Sequence, residues 1–160
     1  MDPLLQCKRT IMPPFIAGVL ACFGLLSKAV AVVPPPGGGY PGFNTAEGQK
    51  ALFSLTTGVA NTAVGWYSLF SNTDGSYNTA LGAGTLLFNI GDQSTGFGTQ
   101  NTAVGIVALL NNTTGLQNTA IGSQALFSNT TGTHNTADGV FALYSNTQAS
   151  ANTAIGGSAL

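Results

Sequence analysis

Charge is what this chain has least of. Only 6% of its 160 residues are charged, where a soluble domain usually carries ~25%. Lys and Arg together number 4, and the net charge is −1. Phosphate binding needs clustered cations, so nucleic acid is not an expected partner. Histidine occurs once, as His134, which leaves little basis for a Ser-His-Asp triad. The two cysteines, Cys7 and Cys22, both lie near the N-terminus. Acids are few and stand at unlike positions, whereas a calcium-binding solenoid repeats its Asp with the coil. No catalytic residue, metal ligand or cofactor site is expected, and the chain does not read as an enzyme. What it has in quantity is Gly, with 22 residues, and hydrophobic side chains at 44%. That is too apolar for simple polar disorder, and the length suits one domain.

The N-terminus reads as an address. Lys8 and Arg9 precede an apolar run from Ile11 to Leu26, and Ala29-Val30-Ala31 follows. A basic stretch, an apolar stretch and a small-x-small site together predict a secretory signal peptide over residues 1–31. A retained membrane anchor is the alternative, opposed by the shortness of the run and by Pro13 and Pro14; a lipoprotein signal ending at Cys22 is a third reading. Cleavage near Ala31 removes both cysteines and leaves Lys50, Glu47, Asp74, Asp92 and Asp138 as the charged residues, with no stable membrane span. The expected location is secreted or cell-surface, outside the cytoplasm. Residues 32–43, "VVPPPGGGYPGF", read as a Pro- and Gly-rich linker, with a ligand for a proline-binding module as the lesser reading.

Residues 44–160 are built on one phrase. The Asn that opens N-T-A-Φ-G, where Φ is mostly apolar, falls at 44, 61, 78, 101, 118, 135 and 152. Five of the six intervals are 17 residues and one is 23. "STGFG" at 94–98 has the form of a decayed copy, so the long interval reads as a full coil followed by a shortened one at 94–100. Counting the Asn as position 1, the unit is N-T-A-Φ-G-x-x-A-L-Φ-x-N-T-T-G-x-x. Position 3 is Ala46, Ala63, Ala80, Ala103, Ala120, Ala137 and Ala154. Position 9 is Leu52, Leu69, Leu86, Leu109, Leu126, Leu143 and Leu160. These two columns are the expected structural core.

Face assignment follows from the period of a strand, in which neighbouring side chains point opposite ways. Ala never varies, so it faces a tight interior. Position 4 accepts Glu47 and Asp138, so it faces a surface that is at least partly wet, because buried carboxylates would need partners. Thr45, Thr62, Thr79, Thr102, Thr119, Thr136 and Thr153 share that outer face and form a candidate surface ladder. Seventeen residues cannot bury their own Leu and Phe, but stacked copies can. The repeated Asn then forms ladders with its amides bonding coil to coil. The expected fold class is mainly all-β, a parallel β-solenoid or β-roll of ~17-residue coils, with a short helical turn per coil possible over x-x-A-L-Φ. The sequons at Asn111, Asn112 and Asn129 are explained by turn chemistry.

The motif N-x-A-[VI]-G-x-x-[AS], repeated with a second Gly turn, resembles the head repeats of YadA-like trimeric autotransporter adhesins. It is also similar to bacterial and phage surface or tail-fibre-like proteins carrying NTAxGxxALxxNTTG. The resemblance spans 44–160 and implies a left-handed parallel β-roll on a bacterial surface, in a homo-oligomer, a trimer. The period of 17 is longer than the usual head repeat, and the 160 residues contain no coiled-coil stalk, barrel segment or self-cleaving chaperone segment. The function expected is a non-catalytic structural or adhesin-like surface module, its surface or matrix ligand unspecified. The alternative is a solenoid that binds ice or a polysaccharide through its Thr ladder. The chain stops nine residues into a coil, which leads us to expect either coverage by another subunit or continuation in a longer product.

Overall fold

In a computed structural model, residues 39–160 are described. The stretch expected to be a signal peptide and the first part of the expected linker lie outside them. The described chain forms one sheet of eight strands in sequential order: β1 (Gly39–Tyr40), β2 (Asn44–Glu47), β3 (Thr62–Val64), β4 (Thr79–Leu81), β5 (Thr102–Val104), β6 (Thr119–Ile121), β7 (Thr136–Asp138) and β8 (Thr153–Ile155). Strands β2 to β8 are parallel and in register, Thr beside Thr and Ala beside Ala. Each N-T-A-Φ phrase is thus one rung of a β-solenoid, and no helix occurs among the described residues.

The segment x-x-A-L-Φ could have started a helical turn, and its backbone explains why it does not. Position 7 and the Leu at position 9 both take left-handed conformations: Tyr67 has φ 56° and Leu69 φ 50°. This costs roughly 1–2 kcal/mol for each such residue. The gain is directional. The Tyr67 N–H donates to the Gln49 carbonyl of the preceding coil at 3.0 Å, and the Leu69 N–H to the Thr85 carbonyl of the following coil at 3.0 Å. Flipping the backbone aims these donors along the solenoid axis, so the arm between strands is bonded on both sides and leaves few orphaned groups. At position 5 the chain turns on glycine. Gly82 has φ 135°, and a Cβ there would lie 2.6 Å from the Gly105 carbonyl oxygen, so successive corners stack without side chains.

The interior is thin. The seven Ala of position 3 are buried, as are Leu52, Leu69, Leu86, Leu109, Leu126 and Leu143, with Ala51, Ala108, Ala125 and Ala142 beside them. Leu160 differs from its column: it is 90% exposed on the open face of the last described coil. Ser68 and Thr85, buried at position 8 in the column of Ala51 and Ala108, bond each other at 2.9 Å, and most of the remaining interior is asparagine, in two rows. In the first, Asn118 donates from Nδ2 to Asn101 Oδ1 at 3.2 Å and to the Gly132 carbonyl at 2.8 Å, while its backbone N–H donates to the same Oδ1 at 3.0 Å. In the second, Asn129 donates from Nδ2 to Asn112 Oδ1 at 2.8 Å and to the same Gly132 carbonyl at 3.1 Å. Burying one Leu per coil contributes ~1.5–3 kcal/mol, and orphaning one buried polar group costs ~1–3 kcal/mol. The polar rows therefore matter about as much as the apolar core.

Two expectations about layout are corrected. The 23-residue interval is one coil with an insertion, and no shortened coil forms over 94–100. Strand β4 pairs directly with β5, and both Asn rows cross the interval unbroken, Asn101 on Asn78 and Asn112 on Asn89. Gly98 supplies the turn carbonyl for Asn78 and Asn89 that Gly115 supplies one coil later. The extra residues lie between Asn89 and Gly98 and fold back on themselves through an antiparallel bridge, Asp92 with Phe97. "STGFG" forms no rung: Gly96, in the slot of the buried Ala, takes φ 77°, outside the extended range of a strand. The linker also ends earlier than 43: Gly39 and Tyr40 pair antiparallel with Thr45 and Asn44, and Tyr40 packs on the core.

Candidate functional site

The strand face carries the threonine ladder. All seven Thr are aligned by the parallel register, at a strand spacing of ~4.8 Å. Thr45, Thr79 and Thr153 are exposed and Thr62, Thr102, Thr119 and Thr136 half-buried. The alternation that puts Ala inside puts position 4 outside. Asp138 is exposed and Glu47 half-buried, beside the aliphatic Val64, Leu81, Val104, Ile121 and Ile155. The tolerance for a carboxylate at this position thus has a geometric cause. The face presents hydroxyls and methyls in one column and a mixed column next to it.

The arm carries a second outer column that sequence reasoning assigned to the interior. Position 10, next to the buried Leu, points the other way: Phe53 is 58% exposed, and Phe70, Leu87, Leu110, Phe127 and Tyr144 are half-buried. Phe53 stacks on Phe70 with centroids 5.5 Å apart, and Phe127 on Tyr144 at 5.2 Å. Lys50 lays its Nζ 5.2 Å from the Tyr67 ring and 5.5 Å from that of Phe53, within cation–π range. Trp66 packs against Tyr67 at 4.3 Å and is half exposed. The signal was present in the sequence, since position 10 is apolar in every copy; what was missing was the left-handed Leu that turns its neighbour outward.

No family model matches the chain, and no curated protein or solved structure matches it. The chemistry must be read from the side chains.

The titratable groups are occupied locally. Asp74 accepts hydrogen bonds from the hydroxyls of Thr56 and Thr57, which hold its carboxyl below the usual range. Asp92 is held low by the Ser94 hydroxyl at 2.6 Å and the Ser94 backbone N–H at 2.8 Å. Burial, then the Glu47 carboxylate, pushes the Tyr40 phenol up. His134 is exposed and touches the Thr133 hydroxyl at 3.1 Å. Among the described residues no three His, Cys, Asp or Glu gather as a metal cluster. Asn112 and Asn129, two of the three sequon residues, are wholly buried in their row.

Hollows mark the surface of the described residues, a small one of about 220 Å³ at Tyr77 and Gln93 and two larger. One of about 600 Å³ opens at the first coil, walled by Tyr40, Leu52, Phe53 and Leu55, and borders the start of the described residues. The other, about 420 Å³, crosses the middle coils at Phe88 and Ile90.

Proposed function

We propose that this chain is a non-catalytic structural module of a secreted or cell-surface protein, adhesin-like, whose work is to hold a repeated surface outside the cell. The observation that carries the reading is the in-register stack from β2 to β8. It commits the buried Ala, Leu and Asn of every coil to stacking and leaves the outer columns to vary, as a display scaffold requires. The bacterial setting and the homo-oligomer, a trimer, come from the motif resemblance. The secreted location comes from the N-terminal pattern, and the partner is a surface or matrix ligand. The test is to express the full chain with a C-terminal tag in a bacterial host and determine its N-terminus and location. The expected result is a mature chain beginning near Val32, outside the cytoplasm and resistant to added protease. An intact N-terminus on a cytoplasmic chain would overturn the reading.

The aligned Thr column favours a second reading, in which the strand face meets a regular lattice such as ice or a crystalline polysaccharide. Inhibition of ice recrystallisation, or co-sedimentation with insoluble polysaccharide, that is lost in Thr102→Lys/Thr119→Lys would support it. No effect of the parent chain in either assay retires it.

A further inference from the structure

The coil with the insertion departs from its neighbours in a second way. Every other coil with these positions carries a polar residue at position 11, namely Ser54, Ser71, Asn111, Ser128 or Ser145, and a Thr at position 13. The third coil alone has Phe88 and Ile90 there. They flank Asn89, which is wholly buried and keeps its place in the row. Nothing in the interior asks for the change. Phe88 and Ile90 are 47% and 52% exposed, so the substitutions put two large apolar groups into water where hydroxyls would satisfy the fold.

They form the apolar part of the 420 Å³ hollow, and the neighbouring coils form the polar part. The N–H groups of Ser71, Phe88 and Asn111 donate to the Leu87, Leu110 and Phe127 carbonyls one coil on, which stacks Ser71, Phe88, Asn111 and Ser128 in one column; a second runs from Ile90 through Thr113 to Thr130. Three coil intervals span roughly 14 Å at the spacing of paired strands. The hydroxyls of Ser71 and Ser128 make no hydrogen bond to the described residues. Asn111 spends its Nδ2 on the Phe127 carbonyl at 3.1 Å, which leaves its Oδ1 to accept. Thr113 and Thr130 donate to main-chain carbonyls at 3.0 Å and keep acceptor lone pairs. No charged side chain lines the hollow.

We infer that this cleft binds a neutral polysaccharide chain laid along the solenoid axis, with a sugar face on Phe88 and Ile90 and its hydroxyls on Ser71, Asn111 and Ser128. The volume falls within the ~300–1,000 Å³ of small-ligand sites. A folded protein partner would need about 800 Å² of buried surface on this side, more than so narrow a cleft provides. A lipid chain would strip water from the free hydroxyls without replacing their bonds. A sugar offers both an apolar face and hydroxyls, and the uncharged lining selects a neutral one.

The site deepens the display reading, on which it rests for where the glycan is met. Binding is measured on the purified full chain, so loss of binding and a wrong cellular location are separate results. Calorimetric titration with cellohexaose, laminarihexaose, chitohexaose and mannohexaose, with oligogalacturonate as the charged control, tests it. At least one neutral hexasaccharide is expected to bind and the control is not. Phe88→Ser with Ile90→Thr restores the repeat consensus. It should weaken binding by about tenfold or more, the equivalent of one buried ring, without changing the thermal midpoint. Phe88→Trp keeps a ring and should keep binding. Failure of all four neutral sugars, preference for the charged control, or equal binding by the consensus-restored variant would overturn the assignment.

Discussion

The third coil, from Asn78 to Gln100, and the fifth, from Asn118 to His134, are alike inside but for position 8, where the third buries Thr85 and the fifth Ala125, and are unlike outside. Ala80, Leu86, Asn78 and Asn89 in one match Ala120, Leu126, Asn118 and Asn129 in the other, all wholly buried. On the surface the fifth coil shows Ser128 and Thr130, where the third shows Phe88, Ile90 and the fold-back at Asp92 and Phe97. Stacking fixes what lies between coils and places little constraint on what lies beyond them. Departures on the outside therefore carry more functional information than fidelity on the inside.

The comparison is tested hardest in the interior. Leu86→Ala and Leu126→Ala should each cost ~2–5 kcal/mol, read by urea denaturation, and should cost about the same. A much cheaper loss in the third coil would mean that the insertion had already loosened its packing. Asn89→Ala and Asn129→Ala come next, at ~1–3 kcal/mol each. Each removes an Oδ1 that accepts from the amide one coil on, at 2.8 Å to Asn112 and 2.9 Å to Asn146. A neutral outcome in either would show that water replaces the row. Excising residues 91–96 should leave the register intact and shift stability by about 1 kcal/mol or less, the scale of loop-closure entropy. Loss of cooperative unfolding after excision would restore the idea of a separate coil there.

The smallest effect is acid sensitivity around the insertion. Asp74 and Asp92 have folded-state pKa values below their ordinary ones. Their stabilisation is therefore complete above the ordinary carboxylate range and is lost as pH falls through and below it. Asp74→Asn with Asp92→Asn should flatten the acid limb of the stability curve; coincident curves for parent and variant would show that the hydroxyl bonds contribute nothing.

Much of this architecture was legible because it was copied. Ala at position 3, Leu at position 9, Gly at position 5 and Asn at position 1 repeat, and the reason is the same in each coil: contact with its own counterpart. The tolerance of position 4 for Glu47 and Asp138 correctly marked the outer face. Three things were hidden. Leu, Val and Gln residues take left-handed conformations in the arm, as at Leu109, Val107 and Gln124, and nothing in those side chains announces it; the cause is the axial direction of their N–H bonds. Position 10 looked like core because it is always apolar, yet that same backbone turns it outward. "STGFG" looked like a decayed rung because Ser, Thr and Gly serve turns as well as strands. Of the candidate site, the threonine column was visible from the repeat. The cleft was not, since Phe88 and Ile90 face each other's surroundings only once the coils are stacked.

The unbroken Asn rows on either side of residues 91–96 have one more consequence. The chain leaves the stack after Asn89 and rejoins it at Gly98 with both amide rows intact, so this bend works as a socket into which sequence can be plugged. The equivalent bends after Asn112 and Asn129 share the same anchors, an amide on one side and a glycine carbonyl on the other. A lineage of such proteins could gain new loops at these points, one coil at a time, while the rod beneath kept its pitch.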